Sequence, residues 1–259
     1  NLFPLVSVVL HTGGRPHVIR HALLELSKSS YPTLEICVVD DSNQEDNVRQ
    51  LDGVLADSPH INLIYRHSPS PLSFSAKRDI CVDQLTSGDI LIQFTEGYIY
   101  SKERISFQVE PIVQEQARVT ALMHGTWVVL PEGDVQGQPH FYHSSEKEAK
   151  TPVYGTLAFH RSTWLDIKYP DSSFVNDFEF WMQAYGGAVD MQLLPNDDNF
   201  LYVRQGSAYE SRLVGEEANR WLNQVKQLAT AIVMDQKPVS SRRRALRKTK
   251  YHPPPIVES

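Results

Sequence analysis

Apolar and polar positions follow two different periods along the chain, and their order predicts strands that alternate with helices. Buried strands are predicted for the short apolar, β-branched runs at residues 5–10, 34–39, 61–65 and 89–94. Apolar positions recur at helical spacing in residues 18–26 and 75–84, and Gly, Pro and Ser occupy the connections. This order of strand, helix and strand favours a parallel sheet with helices on its faces.

The second half of the chain continues the pattern with longer interruptions. Helices are predicted over residues 102–116, 174–185 and 208–234. Strands are predicted over residues 119–129, 154–161, 193–194 and 200–203. Residues 131–151, rich in Gly, His, Glu and Lys, show no period and are predicted to form a long loop. The pattern therefore predicts one α/β domain over residues 1–236 and a tail over residues 237–259.

The composition is that of a soluble globular protein, with 41% hydrophobic and 22% charged residues among 259. No run of eighteen apolar residues occurs, and the first twenty residues predict a strand and a turn rather than a signal peptide. Cys37 and Cys81 fall inside apolar strand and helix patterns, which is typical of packed thiols rather than a disulfide. A cytoplasmic protein is therefore expected, and the start at Asn1 without Met indicates processing or a piece of a longer polypeptide.

The net charge of −6 is unevenly distributed. Residues 237–259 hold seven basic groups and one acid, so residues 1–236 carry 18 basic against 30 acidic groups. The basic tail is either a solvated segment or a docking element for anionic lipid or an acidic partner. Nucleic-acid binding is not supported, because the body of the chain is acidic.

Polar side chains follow three of the predicted strands at their carboxyl ends, as His11-Thr12, Asp40-Asp41 and Thr95-Glu96. Ligands of open parallel sheets bind outside these strand ends. A charged pair at the end of a buried strand must be solvated, hydrogen-bonded or facing a ligand. Asp40-Asp41 therefore belong either to a solvated turn with an Asx cap or to a ligand site, and the three clusters together favour the site.

Six short segments carry a resemblance to a known family: Leu34-Glu-Ile-Cys-Val-Val-Asp-Asp-Ser42, Ser75-Ala-Lys-Arg78, Ser87-Gly-Asp-Ile-Leu91, Ile99-Tyr-Ser-Lys-Glu-Arg-Ile105, Gly155-Thr-Leu-Ala-Phe159 and Asn176-Asp177. In order and spacing they resemble the family-2 glycosyltransferases, and they extend over about residues 4–206. The resemblance implies the GT-A fold, an α/β architecture in which helices flank a Rossmann-like mixed sheet.

The resemblance also implies a nucleotide-sugar donor, uridine- or thymidine-linked (UDP or dTDP), held at the ends of the first strands. Asp41 or Asp40 would accept a hydrogen bond from the pyrimidine, because a base edge offers an N–H donor. Cationic side chains would suit the diphosphate. The nucleotide-sugar-binding residues implied in this way are His11, Thr12, Arg15, Asp40, Asp41, Lys77, Arg78, Glu96 and Arg204.

Asp177 is the catalytic residue that the resemblance implies. In inverting members of the family the matching Asp removes the proton from the acceptor hydroxyl as that oxygen attacks the anomeric carbon. The acceptor here would be a glycan or another hydroxyl compound. The alternative for Asp177 is an acid near a helix N-terminus, where the helix macrodipole favours negative charge.

Two positions depart from the family pattern, and both concern the metal. Gly97 falls where the family carries a metal-ligating Asp, and Gln205 falls where many members carry a ligating His. A divalent cation, Mn²⁺ or Mg²⁺, therefore lacks its usual ligands, so that weak or absent metal dependence is expected. Neutralisation of the diphosphate would then depend on cationic side chains, for which the candidates are Arg15, Lys77, Arg204 and His124.

Two other classes of function remain open. A catalytically silent GT-A domain that binds a nucleotide, a glycan or a protein partner is favoured by the lost metal ligands and the basic tail. A nucleotidyltransferase has less support, because His11-Thr-Gly-Gly-Arg15 is too short for the usual glycine-rich, Lys-bearing phosphate loop. Sugar transfer by the purified chain would exclude the silent domain.

Overall fold

The computed structural model describes residues 3–42, 51, 53–130, 139–144, 152–166, 191–196, 199–205 and 217–236. The strands in this part of the chain are β1 (Val6–Thr12), β2 (Leu34–Asp40), β3 (Ile61–His67), β4 (Ile90–Thr95), β5 (Ile99–Tyr100), β6 (Val119–Leu122), β7 (Thr126–Leu130), β8 (His140–His143), β9 (Ala158–His160), β10 (Met191–Leu194) and β11 (Phe200–Gln205). The α-helices are α1 (Pro16–Leu26), α2 (Phe74–Gln84), α3 (Arg104–Val113), α4 (Arg161–Asp166) and α5 (Glu217–Gln236).

A seven-stranded mixed sheet has the order β10-β6-β9-β4-β1-β2-β3. Strands β3, β2, β1 and β4 are parallel to one another, whereas β9 runs antiparallel to both β4 and β6. The register places Thr12 beside Asp40 and His11 beside Thr95. The polar carboxyl ends of β1, β2 and β4 therefore lie together at one edge of the sheet.

All seven residues of β1 and all seven of β2 are buried, because these central strands are covered on both faces. One face packs against α1 and α3 through a cluster that includes Val8, Leu23 and Val109. The other face packs against α2 and α4 through a cluster that includes Cys81 and Trp164. Such a two-sided environment favours a predominantly apolar run over one that alternates between apolar and polar residues.

A buried polar network fixes the amino end of the sheet. The carboxylate of Glu35 accepts hydrogen bonds from Ser7 Oγ (2.5 Å), from the backbone N–H (2.5 Å) and Oγ (2.7 Å) of Ser87, and from the N–H of Gly88 (3.2 Å). Burial raises the pKa of Glu35, but the hydrogen bonds outweigh it and hold that pKa below its ordinary value. The loop entering β4 is thereby tied to both β1 and β2.

A second, four-stranded sheet has the order β5-β11-β7-β8, and α5 packs against α1 beside it. Val18, Leu201 and Leu228 join α1, β11 and α5 in one buried cluster. Helix α1 therefore lies between the two sheets, and the loop that precedes it is anchored from both sides.

The structure corrects three predictions in the second half of the chain. Residues 119–129 form two strands in different sheets, β6 and β7, instead of one. Residues 131–151 are not entirely loop, because β8 pairs antiparallel with β7. Residues 154–161 comprise a 3₁₀ turn (Tyr154–Thr156), the three-residue strand β9 and the first residue of α4. The predicted helix at 174–185 and the tail at 237–259 lie outside the described residues.

The two cysteines are buried free thiols, which confirms that prediction. The Sγ of Cys81 donates to the carbonyl oxygen of Cys37 (3.2 Å), so α2 and β2 are in direct contact there. Within the described ranges, no helix combines the length and the apolar character needed to cross a membrane.

Candidate functional site

A cleft of about 720 Å³ opens at the carboxyl ends of β1, β2 and β4. Clefts of this size at this edge of an α/β sheet are typical ligand sites. The residues predicted from sequence that line it are His11, Thr12, Arg15, Asp41, Lys77, Arg78 and Glu96. These residues come from three strand ends, the loop before α1 and helix α2, and the fold brings them to one cleft.

A buried ion pair between Asp41 and Lys77 forms the floor of the cleft. Lys77 Nζ lies 2.6 Å from Asp41 Oδ1, and their side chains are only 6% and 9% exposed. Lys77 also donates to the carbonyl oxygen of Thr12 (3.0 Å), and Asp41 Oδ2 accepts from the N–H of Leu72 (2.8 Å). Each charge therefore has an oppositely charged partner and a further hydrogen bond, which offset the cost of removing it from water.

Local sequence explains how this pair is held. Ser73 caps α2 by accepting from the N–H of Ala76 (3.1 Å), which places Lys77 in the first turn of the helix. A cation is unfavourable at a helix N-terminus, so the carboxylate of Asp41 is its compensating partner. A Cβ on Gly13 would lie 3.2 Å from Asp41 Oδ1 and 3.4 Å from Lys77 Nζ. Glycine therefore lets the backbone of the loop after β1 pass directly over the pair.

Asp40, the other candidate acid, does not line the cleft. Its side chain is fully buried and accepts from the N–H (2.8 Å) and Oγ (3.1 Å) of Ser42 and from the hydroxyl of Tyr65 (2.5 Å). Burial, followed by the hydrogen bond to Asp40, raises the pKa of Tyr65. Asp40 thus forms an Asx turn with Ser42 in the core, not the solvated turn that the sequence offered as an alternative, and of the two acids Asp41 alone lines the cleft. Two adjacent acids have different surroundings because successive residues at a strand end point to opposite sides.

A second acid, Glu96, is buried on the opposite side of β1. Glu96 Oε2 accepts from Thr12 Oγ1 (2.6 Å), and Oε1 accepts from Arg15 Nε (2.8 Å). Arg15 Nη2 lies 2.8 Å from the same Oε1, with Arg15 47% and Glu96 7% exposed. The carboxylate thus fixes one edge of a guanidinium whose remaining surface borders the cleft.

The turn that carries Glu96 packs against a buried cation, Arg104. The hydroxyl of Tyr100 accepts from the N–H of Thr95 (3.0 Å) and donates to its carbonyl oxygen (3.2 Å). The Arg104 guanidinium lies 4.0 Å from the ring centre of Phe94 and 4.3 Å from that of Tyr100. Burial lowers the pKa of Arg104 to about 10, so it remains cationic at neutral pH. These contacts attach the turn after β4 to β5 and α3.

His11 lies at the back of the cleft, where Phe74 packs edge-on against it with ring centres 5.1 Å apart. Burial first, and then the positive charges of Arg78, Lys77 and Arg15, hold the pKa of His11 well below its usual range. Its Nδ1 has no hydrogen-bond partner among the described residues. At neutral pH the site therefore contains a neutral imidazole with an uncommitted nitrogen.

Acidification should destabilise the protein through His11. Because its pKa is lower in the folded state than the ordinary 6.5, the unfolded chain binds the proton more readily once the pH falls below about 6.5. Stability is then lost as the pH falls toward the folded pKa, by at most about 1.4 kcal/mol per pH unit for one proton. Buried His21 acts in the same direction.

Thermal unfolding between pH 7.5 and 5.5 measures this effect. His11→Gln should make the melting temperature fall less steeply with acidification than it does in the parent protein. The control is His60→Gln, at an exposed turn position, which should leave the slope unchanged. Identical slopes for the parent and His11→Gln would contradict the assignment.

Besides Asp40, two predicted residues are not placed in the cleft. Arg204 belongs to β11, but the structure does not describe its side chain, and Asp177 lies outside the described residues. His124, considered only as an alternative cation, does line the cleft. The sequence reasoning missed Phe74, whose signal was a large apolar residue between two serines at a helix start. It also missed Gly13, whose lack of a side chain leaves room for the Asp41–Lys77 pair, and no sequence pattern indicated this role.

Solved structures share this architecture. TarS 1-349 from S. aureus matches with a TM-score of 0.58 and 17% identity over 77% of this chain and 60% of its own. Its complex with UDP-GlcNAc matches with a TM-score of 0.60 and 17% identity over 88% of this chain and 66% of its own. The mannosyltransferase PcManGT from Pyrobaculum calidifontis, in complex with GDP-Man and Mn²⁺, gives 0.55 and 15% identity over 89% of this chain and 65% of its own.

The fold is the GT-A fold of glycosyltransferases. At these identities the likeness shows the fold alone, and the chain spans less than two thirds of each of these structures. No protein-family model and no curated protein matches the chain. Membership of family 2 therefore stays a prediction.

The GT-A neighbour with Mn²⁺ raises the question whether this cleft fits a divalent cation. Over the described ranges, no group of three or more His, Cys, Asp and Glu side chains is placed to hold one. Both oxygens of Glu96 already accept hydrogen bonds from the chain, and Gly97 offers no side chain. The residues described do not fit a metal site.

Proposed function

We propose that this protein is a glycosyltransferase that moves a sugar from a nucleotide-sugar donor to an acceptor hydroxyl. The observation that carries the proposal is the cleft of the GT-A fold, in which a buried carboxylate and three cationic side chains lie side by side. A carboxylate suits the N–H edge of a base, and the cations suit a diphosphate. Donors bound by the fold's neighbours, UDP-GlcNAc and GDP-Man, support this class of ligand.

The donor in this proposal is linked to uridine or thymidine, and Asp41 is the acid that accepts from its base. Asp41 accepts one hydrogen bond from Leu72 and contacts Lys77, which leaves acceptor capacity on its oxygens for a ligand N–H. Thr12 and neutral His11 line the same wall. Arg15, Lys77 and Arg78 give this wall the positive charge that a diphosphate requires, with weak or no dependence on a metal ion.

The transfer in this proposal inverts the anomeric carbon. The acceptor oxygen forms the new bond to that carbon while the bond to the diphosphate oxygen breaks, and the departing nucleotide keeps the electron pair. The acceptor proton passes to Asp177, which needs only to accept a proton that becomes acidic as the bond forms. The acceptor is a glycan or another hydroxyl compound.

A catalytically silent nucleotide- or partner-binding domain is the alternative. It is favoured by Glu96, whose oxygens are engaged by Thr12 and Arg15, and by Gly97, which cannot ligate a metal. This alternative and the transferase share the donor cleft, so binding alone does not separate them. Release of free nucleotide diphosphate from a bound donor in the presence of an acceptor would exclude the silent domain.

Calorimetric titration tests the donor site directly. UDP, dTDP and GDP, and then UDP-sugars, are added to the parent protein and to Asp41→Asn, with uridine as the uncharged control ligand. We expect UDP or dTDP to bind the parent and to bind Asp41→Asn about 10-fold more weakly, because a charge-assisted hydrogen bond is lost. If no nucleotide diphosphate binds the parent protein, the proposed function is wrong.

A further inference from the structure

In the turn after β4, the absence of a side chain at Gly97 leaves space that the guanidinium of Arg15 occupies. Gly97 has φ +85°, in the left-handed region that favours glycine. A Cβ built at this position would lie 3.6 Å from Arg15 Nη1, 3.9 Å from Nη2 and 3.8 Å from Val18 Cγ1. A longer side chain at residue 97 would extend from that Cβ toward space that the guanidinium occupies. The guanidinium of Arg15 therefore lies beside residue 97, where a larger residue would place its side chain.

The neighbouring acid is committed to the same arginine. Glu96 is 7% exposed, and its oxygens accept from Thr12 Oγ1 at 2.6 Å and from Arg15 Nε at 2.8 Å. A metal ion at Glu96 would have to displace a charge-assisted hydrogen bond and then find further ligands. Among the described residues no ligand set for it exists. The cation that this acid holds is the guanidinium.

Among the described cations that line the cleft, Arg15 has the most exposed side chain. Lys77 is 6% exposed and held by Asp41 and by the carbonyl oxygen of Thr12, and Arg78 is buried. The side chain of Arg15 is 47% exposed and is anchored to Glu96 along its Nε and Nη2 edge. Its Nη1 lies on the side of Gly97, a residue without a side chain of its own. A planar guanidinium anchored at one edge can present its other N–H groups to a phosphate.

We infer that Arg15, instead of a divalent cation, supplies the positive charge that meets the donor's diphosphate, and that Glu96 and Gly97 position it. This inference rests on the proposed function. It specifies how the same cleft recognises its ligand: through a fixed organic cation paired to the protein, with affinity independent of added metal. Arg15 is then a binding residue, and Glu96 is a positioning residue that acts through it.

The test compares Arg15→Gln with Arg118→Gln. Arg118 is a matched control, because its side chain is also 47% exposed and pairs with an acid, Asp166, at 3.0 Å. Glutamine at position 15 keeps a donor for Glu96 while removing the charge, which guards against simple unfolding. UDP and uridine are titrated calorimetrically into each protein, once with Mn²⁺ and once with EDTA, and folding is checked by thermal unfolding.

We expect the parent protein to bind UDP equally with Mn²⁺ and with EDTA. Arg15→Gln should bind UDP 10- to 100-fold more weakly than the parent does and should bind uridine as before. Arg118→Gln should bind both ligands as the parent does. UDP affinity in Arg15→Gln equal to that of the parent would overturn the inference while leaving the nucleotide site intact. A parent affinity that rises 10-fold or more when Mn²⁺ replaces EDTA would also overturn it. A parent protein that binds no UDP under either condition refutes the proposed function itself.

Discussion

Replacing Lys77 by methionine is expected to lower the free energy of unfolding by about 3–5 kcal/mol, since it removes one partner of a buried ion pair. The carboxylate of Asp41, 9% exposed, would lose its cationic partner and retain, among the described residues, the hydrogen bond from the N–H of Leu72. Relief of the unfavourable cation at the start of α2 would return only about 0.3–1 kcal/mol. The desolvated carboxylate therefore dominates, and chemical denaturation of both proteins measures the difference.

Lys102→Met is the control for Lys77→Met. Lys102 Nζ lies 3.5 Å from Glu103 Oε1, and the two side chains are 65% and 56% exposed. Water and salt screen a pair of this kind, so the loss should be about 1 kcal/mol or less. Equal losses in the two variants would show that burial of the Lys77 pair has no special weight in stability.

A double variant separates stability from ligand binding at the same pair. Asp41→Asn with Lys77→Met removes both charges and keeps an acceptor for the N–H of Leu72. Much of the stability should return, because replacing a whole buried ion pair costs far less than breaking it. UDP binding should not return, since the proposed acceptor for the base and one cation are both gone. Recovery of UDP affinity along with stability would contradict the role proposed for Asp41.

Asp177→Ala should reduce sugar transfer by about 100- to 10,000-fold, the usual contribution of a positioned general base. The loss should appear in kcat, because the acceptor hydroxyl would no longer have a group to take its proton. UDP affinity should stay unchanged, since the resemblance places Asp177 on the acceptor side. Initial rates of transfer and calorimetric titration of UDP measure the two quantities on the same preparations.

The control for Asp177→Ala is Asp166→Ala. Asp166 is an acid on α4 with 63% side-chain exposure, and its described partner is Arg118 at the other end of β6 from the cleft. Its replacement should change neither transfer nor UDP binding. Transfer by Asp177→Ala at the parent rate would show that the base has been assigned to the wrong residue.

The central strands could be predicted from sequence because their environment is simple. Residues of β1, β2 and β4 are buried on both faces, so a predominantly apolar, β-branched run identifies each of them without knowledge of their partners. The parallel order of these strands followed from the intervening helices. The GT-A fold was likewise predicted from the order of the short segments, and the structure shows it.

The second half of the chain resisted prediction for a physical reason. Residues 119–129 look like one apolar strand, but the chain leaves the large sheet after Leu122 and enters the small one at Thr126. Both strands are apolar, so their hydrophobicity does not indicate which sheet each one joins. Strand β9 has three residues, too few to display a period, and its antiparallel place between β4 and β6 depends on contacts distant in sequence.

The sequence by itself determined the kind of chemistry: acids and cations at the carboxyl ends of parallel strands, and glycine where a metal ligand was expected. The tertiary structure decided which of these groups act together. Asp40 and Asp41 are equivalent in sequence, yet the strand end turns one into the core and the other into the cleft. Arg15 and Glu96 are 81 residues apart, and only the pairing of β1 with β4 brings them within 2.8 Å. Local pattern specifies side-chain type and strand ends, whereas the partner of a buried charge depends on register and side-chain direction, which the folded sheet alone fixes.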